Sequence, residues 1–117
     1  MSKVACLLRT QRLKRGLYQK DLAALIPRTG HNRVSCIERN LRPPNAREIL
    51  AYRFIFGTLP EELFPGLVSE VEEAVLRNAY RLHEDLQGDT SETAIRTRAF
   101  LETILARAVN RARQNGI

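Results

Sequence analysis

The polar side chains with the clearest chemical use lie in one stretch, from Gln19 to Glu38, which reads QKDLAALIPRTGHNRVSCIE. The stretch predicts two short helices joined by a tight turn, and the second helix opens on His31, Asn32 and Arg33. An asparagine amide can contact N6 and N7 of adenine together, whereas a guanidinium binds phosphate oxygens. The arrangement is therefore one that suits reading the groove of a DNA duplex.

The helices that must position this surface follow from apolar spacing and from helix breakers. Apolar residues at helical spacing predict a first helix over residues 3–15. A second helix over residues 19–26 stops at Pro27, because proline has no amide proton and its ring blocks continuation. The third helix has Val34 and Ile37 three residues apart, so we expect one edge to rest on the core and the other face to stay free.

Two more helices complete a predicted N-terminal module. Asn40 suits the left-handed end of the third helix. Asn45, with Glu48 three residues later, predicts the capped start of a fourth helix that Gly57 ends. Residues 58–64 predict a short fifth helix with proline at its first position.

The rest of the chain predicts two long helices, separated from the first module at Pro65-Gly66. Gly88 ends the sixth helix, and Asp89 with Glu92 predicts the cap of the seventh. Because the connection is short, the two helices are expected to form an antiparallel hairpin. Their apolar seams comprise Val68, Val71, Val75, Ala79, Leu82 and Leu86 on one helix, and Leu101, Ile104, Leu105, Ala108 and Ala112 on the other.

The fold class that follows is all-α, with one domain over residues 1–65 and a helical hairpin over residues 66–117. A two-helix hairpin cannot cover its own apolar stripe well, so it is expected to dock on the first module or on a second copy. The candidate dimer contacts are Val68, Val71, Val75, Leu82, Leu101 and Leu105.

Charge divides the chain in the same way. The net charge is +6, but residues 1–58 hold 12 Lys and Arg against 3 Asp and Glu, whereas residues 59–117 hold 7 against 10. A balance of +9 followed by one of −3 predicts a module that binds a polyanion and a second part with another role. A basic ribosomal or membrane-surface protein would share the first balance.

Other functional classes find little support in the sequence. The two histidines, His31 and His83, fall in different modules, and neither Cys6 nor Cys36 has metal-ligand spacing. No Gly-rich phosphate loop is present, so neither an enzyme nor a cofactor is expected. No apolar run is long enough for a signal peptide or a membrane span, and we expect a cytoplasmic protein.

Residues 8–64 contain a set of residues that matches the sequence pattern of a known family in the same order. Over this half of the chain the sequence resembles the phage Cro-type repressors, the XRE family. The resemblance implies a five-helix, lambda-repressor-like helix-turn-helix domain. It also implies a nucleoid-associated transcriptional repressor of a bacterium or phage, which binds double-stranded DNA as a homodimer with helix three, about residues 31–39, in the major groove. The matching residues are Leu8-Arg9, Arg12, Gly16-Leu17, Gln19, Leu22-Ala23, Val34, Ile37-Glu38-Arg39, Pro44, Gly57 and Pro60-Glu61-Glu62-Leu63-Phe64.

By the same resemblance, His31, Asn32 and Cys36 correspond to groove-facing positions. Asn32 is the best candidate for reading a base, through adenine. His31 could donate to guanine or to a phosphate, or it could belong to the helix cap. Cys36 could contact a thymine methyl group, or it could be a buried structural residue.

Phosphate contacts are expected around these positions. Gln19, at the start of helix two, would bond a phosphate with its amide. Arg12 and Glu38 correspond to positions that pair in similar proteins, and the pair would hold Arg12 near the DNA backbone. The other candidates, for each of which a solvated basic face is the alternative, are Arg28, Arg33, Arg39 and Arg42.

The sequence also departs from the family pattern. The turn between Ala23 and Glu38 is one residue longer than usual. The sequence therefore defines the first residue of helix three only to within one position. Gln11 and Arg53 stand where apolar and small residues are common.

A second interpretation is a protein-interaction adaptor or antitoxin-like protein, in which the C-terminal hairpin binds a partner protein.

Overall fold

The computed structural model describes residues 6–115, with side chains described through Arg111. This part of the chain is helical without strands, which confirms the all-α prediction. Residues 3–5 of the predicted first helix and the side chain of Ala112 lie outside the described residues. The helices are α1 (Leu8–Lys14), α2 (Gln19–Leu25), α3 (His31–Glu38), α4 (Ala46–Phe56), α5 (Pro60–Leu63), α6 (Pro65–Asp85) and α7 (Glu92–Asn115).

The chain divides into two compact units, Met1–Glu70 and Val71–Ile117. The division lies inside α6, because that helix begins at Pro65 and its Val68 amide donates to the Phe64 carbonyl at 3.0 Å. Proline is tolerated at the first helical position, where its missing N–H would have had no partner. The Pro65-Gly66 pair therefore starts a helix, and does not separate two modules as its composition predicts.

One apolar core holds the first unit together. Each of the helices α1 to α5 contributes at least one buried side chain to it, and the Leu7 amide donates to the Leu63 carbonyl at 2.7 Å, which joins the start of α1 to the end of α5. Leu67, in the first turn of α6, packs against the same core. The buried members are Leu8, Leu22, Ala23, Ile26, Val34, Ile37, Tyr52, Phe56, Leu63 and Phe64.

Local sequence accounts for most of the helix ends in this unit. Helix α2 stops at Leu25, two residues before the proline, and Asn40 has the expected left-handed backbone with φ of 60°. At the start of α4, the Asn45 side-chain oxygen accepts from the Glu48 amide at 2.9 Å, and Glu48 Oε1 accepts from the Asn45 amide at 2.8 Å. The predicted cap is therefore present with both of its hydrogen bonds.

The second unit consists of the later part of α6 and of α7, which run antiparallel. His83 Nε2 lies 3.0 Å from Glu102 Oε2, and Glu72, earlier on α6, pairs with Arg111, later on α7. Small side chains and one leucine are buried within this unit, namely Ala79, Ala94 and Leu101.

The start of α7 differs from the sequence prediction. The hydroxyl of Ser91 accepts from the Ala94 amide at 3.2 Å, so Ser91 caps the helix. Asp89 supports this cap from outside the helix, because its Oδ1 accepts from the Ser91 amide at 2.9 Å. Glu92 does not complete a capping pair with Asp89, and instead forms an exposed ion pair with Arg96 at 2.6 Å.

Candidate nucleic-acid interface

A buried hydrogen-bond network joins the first three helices. Glu38, in the last turn of α3, accepts from Arg12 Nε at 2.6 Å and from Arg12 Nη2 at 3.0 Å. Arg12 Nη1 donates to the Leu17 carbonyl at 2.8 Å, and the Gln19 amide nitrogen donates to Glu38 Oε1 at 3.1 Å. The hydrogen bond that Arg12 donates to Glu38 raises the pKa of Arg12, so its guanidinium stays charged. The network fixes α1, α2 and α3 against one another.

This network changes the roles expected of two predicted phosphate ligands. Arg12 is only 6% exposed and bound on both sides of its guanidinium, so it has a structural role in place of the predicted phosphate contact. Gln19 is half-buried and uses one amide hydrogen on Glu38. Its second amide hydrogen and its backbone N–H at the start of α2 are the groups left for a phosphate.

Helix α3 has one buried edge and one free face. Its side chains rotate by about 100° per residue, so the buried Val34 and Ile37 lie opposite a face centred on Asn32 and Arg39. Asn32 and Arg39 are exposed, and Cys36 is half-buried beside them. Helix α3 begins at His31, which is exposed at the edge of this face.

Ser35 also belongs to the free face, although the sequence prediction did not include it. It lies one turn after Asn32 and one turn before Arg39, and its hydroxyl accepts from Arg39 Nε at 3.1 Å. The helical spacing between Asn32 and Arg39 was the signal that could have identified it. We define the free face of α3 as Asn32, Ser35, Cys36 and Arg39.

Arg33 points away from this face and fixes α3 to α4. Its Nε and Nη2 each donate to a carboxylate oxygen of Glu48 at 2.7 Å, and Nη2 also donates to the Pro43 carbonyl at 2.9 Å. Burial of Glu48 raises its pKa, but the hydrogen bonds from Arg33 and the Asn45 backbone outweigh that effect and lower the pKa below its ordinary value. Arg33 is thus a structural residue in place of the predicted phosphate ligand.

The internal use of carboxylates explains why this unit has a basic surface. All three acids among residues 1–58 are hydrogen-bonded inside the unit: Glu38 and Glu48 as above, and Asp21 to the Tyr18 amide at 2.9 Å. In contrast, nine Lys and Arg side chains of the described part of this unit are exposed without a carboxylate partner. They are Arg9, Lys14, Arg15, Lys20, Arg28, Arg39, Arg42, Arg47 and Arg53.

Three predicted phosphate ligands belong to this exposed set and lie near α3 in sequence. Arg28 is in the turn before α3. Its backbone is left-handed, with φ of 63°, a conformation that residues other than glycine seldom adopt. Arg39 and Arg42 follow the end of α3. These side chains remain available for phosphate contacts.

The candidate dimer residues divide by exposure. Val71, Val75 and Leu82 are about half exposed, and Val68 and Leu105 are partly buried. Leu101 is only 6% exposed, so it is not accessible to a second copy. A groove of about 230 Å³ lies in the second unit, lined by Val71, Glu72, Val75, Leu76, Ile104, Arg107, Ala108 and Arg111.

No family model matches this chain, and neither the curated proteins nor the solved structures compared with it give a match. Over the described residues, no three His, Cys, Asp or Glu side chains come together as a metal site. None of the described helices combines the length and the apolar character of a membrane span.

Proposed function

We propose that this protein is a sequence-specific DNA-binding regulator, a repressor that inserts α3 into the major groove and acts as a homodimer. One observation carries the proposal: the free face of α3 keeps exposed polar side chains, whereas the acidic residues among residues 1–58 are used in internal hydrogen bonds. The first 58 residues commit their three carboxylates to internal hydrogen bonds, while Asn32 and Arg39 stay exposed.

The geometry of α3 supports this role. The major groove is about 12 Å wide and admits an α-helix of about 10–12 Å diameter. Helix α3 is fixed at its first turn by Arg33 to Glu48 and at its last turn by Glu38 to Arg12. Charge-assisted pairs at both ends hold the helix before any ligand arrives, so little conformational freedom is lost when a groove is bound.

Within this proposal the residues have distinct tasks. Asn32 reads adenine, and Ser35 and Cys36 add smaller contacts on the same face. Arg28, Arg39 and Arg42 bind phosphates, which gives affinity without sequence choice. A single α3 reads few base pairs, so two copies on half-sites about 34 Å apart are expected to supply specificity.

The decisive experiment is the selection of bound duplexes from a random pool by the full chain. Wild-type protein is expected to enrich two related half-sites about one DNA turn apart. The Asn32→Ala variant is expected to lose preference at one base pair of each half-site, by about 1–3 kcal/mol. The matched control is Asn78→Ala, at an exposed asparagine of α6. Recovery of no common sequence would exclude sequence-specific DNA binding.

The groove of the second unit favours one alternative, a protein-interaction adaptor. In that case Val75→Asp would abolish function, because Val75 lines the groove, whereas Asn32→Ala and Arg39→Ala would leave it intact. The DNA-binding proposal expects both kinds of variant to fail, through dimer assembly and DNA contact respectively. Reporter repression in cells, together with light scattering of each variant, distinguishes the two.

A further inference from the structure

A second cavity lies in the first unit, away from the free face of α3. It has a volume of about 190 Å³ and lies between the segment that follows α3 and the start of α6. A cavity of about 150 Å³ is enough to hold benzene, so this one is of the size of a small metabolite. Its lining residues are Cys6, Ile37, Asn40, Arg42, Pro43, Pro44, Phe64, Leu67 and Glu70.

The floor of this cavity is apolar. Ile37 and Phe64 are core residues, 1% and 3% exposed, and Leu67 packs against the same core. The Cys6 thiol donates to the Ile37 carbonyl at 3.7 Å, and burial raises its pKa, so it lines the floor as a neutral group. Such a floor accommodates a hydrocarbon body and contributes no charge.

Two opposite charges stand at the rim of the cavity. Arg42 and Glu70 are both exposed, and neither forms an ion pair within the described residues, either with the other or with a third group. A guanidinium suits a carboxylate, and a carboxylate suits an ammonium group. The two charges and the apolar floor therefore match a small molecule that has both ionic groups on an apolar body.

We propose that this cavity binds a small zwitterion of the α-amino acid type, with its carboxylate on Arg42, its ammonium on Glu70 and an apolar side chain over Phe64 and Leu67. Pro43 and Pro44, which follow Arg42 in the chain, also line the cavity, and their rings fix the backbone φ there. The cavity shares Arg42 with the proposed phosphate contacts, but none of the steps argued for ligand binding requires a nucleic acid.

The test is a titration of the isotope-labelled full chain by nuclear magnetic resonance, with L-leucine and L-phenylalanine as probes. Saturable shifts are expected at the amides of Ile37, Asn40 and Leu67. N-acetyl-L-leucine lacks the ammonium group and L-leucinamide lacks the carboxylate, so each should bind at least about tenfold more weakly than L-leucine.

Variants locate the site. Arg42→Gln and Glu70→Gln are each expected to weaken L-leucine binding about tenfold or more, and Leu67→Trp is expected to abolish it by filling the cavity. Arg47→Gln and Glu73→Gln remove the same charges from exposed positions that do not line the cavity, and should leave binding unchanged. Circular dichroism verifies that every variant is folded.

Three results would overturn the proposal. They are the absence of saturable shifts with either amino acid, equal binding of L-leucine and L-leucinamide, and equal binding of L-leucine by wild type, Arg42→Gln and Glu70→Gln. Since the titration contains no DNA, each result is independent of whether α3 reads a duplex.

Discussion

At the scale of single residues, two arginine–glutamate pairs give α3 its position. Each pair joins the helix to a different neighbour, and each carboxylate is almost fully removed from solvent, with 2% of the Glu38 side chain and 4% of the Glu48 side chain exposed. Removing one partner of a buried pair is costly, because the other charge then stays buried without compensation.

The first prediction concerns Glu38. Replacing it with alanine leaves the buried Arg12 guanidinium without its carboxylate, so Glu38→Ala should lower the free energy of unfolding by about 3 kcal/mol. Urea denaturation followed by circular dichroism measures this change. The control, Glu92→Ala, removes a glutamate from the exposed pair with Arg96 and should change stability little. Equal effects of the two substitutions would contradict the assigned role.

The second prediction concerns pH. The pKa of Glu48 is lowered in the folded protein from its ordinary value of 4.5, so the ionised form favours folding. This contribution is fully present above pH 4.5 and is lost as the pH falls through the lowered pKa. The difference in unfolding free energy between wild type and Glu48→Gln should therefore be largest near neutral pH and shrink in acid. A difference that stays constant with pH would contradict this assignment.

These residues also show what sequence could and could not provide. The pairing of Arg12 with Glu38 was expected from a resemblance, and Glu48 was expected only as a capping residue. Arg33 was expected at a phosphate, because its helix position alone does not show that it turns towards α4. That direction depends on which edge of α3 packs on the core, together with the path of residues 40–44, and both are tertiary features.

At the scale of elements, helices that end at strong local signals were predictable. The proline after α2, the asparagine cap of α4 and the left-handed Gly57 each act within a few residues of chain. The starts of α6 and α7 were not, since the local sequence at each start is compatible with more than one helix boundary. Pro65 serves a helix start as well as a break, and Ser91 is as good a cap as Asp89.

A third prediction tests the role of Ser91 as the cap of α7. Because the Ser91 hydroxyl accepts from the Ala94 amide, Ser91→Ala should lower the free energy of unfolding by about 1 kcal/mol. Thr90→Ala removes a hydroxyl from the preceding exposed residue and should have a smaller effect. Thermal denaturation of the two variants side by side provides the comparison. A larger loss from Thr90→Ala would show that α7 is capped differently.

At the scale of the whole molecule, the charges divide the chain into a basic and an acidic part. Their balance was readable from composition, but composition does not show which cations are free. The structure separates them, because Arg12 and Arg33 are used internally while the exposed set faces solvent. The arginines expected at DNA are therefore fewer than the arginines in the motif.

The fourth prediction concerns the dependence of DNA affinity on salt. If a dimer contacts about six or more phosphates, the logarithm of the association constant should fall against the logarithm of salt concentration with a slope of about −5 or steeper. Arg42→Ala should make that slope shallower, whereas Arg96→Ala, in the second unit, should not. Fluorescence anisotropy with a labelled duplex measures all three slopes. A flat response would exclude binding through phosphates.

The passage of α6 from one unit into the other has a consequence for proteolysis. Proteases cleave extended, exposed chain, and between the two units they meet only helical residues. A cut after residue 65 would also remove Leu67 from the core against which it packs. Limited digestion should therefore attack the connection over residues 86–91 before it separates the units, and a stable N-terminal fragment should extend at least to Glu70.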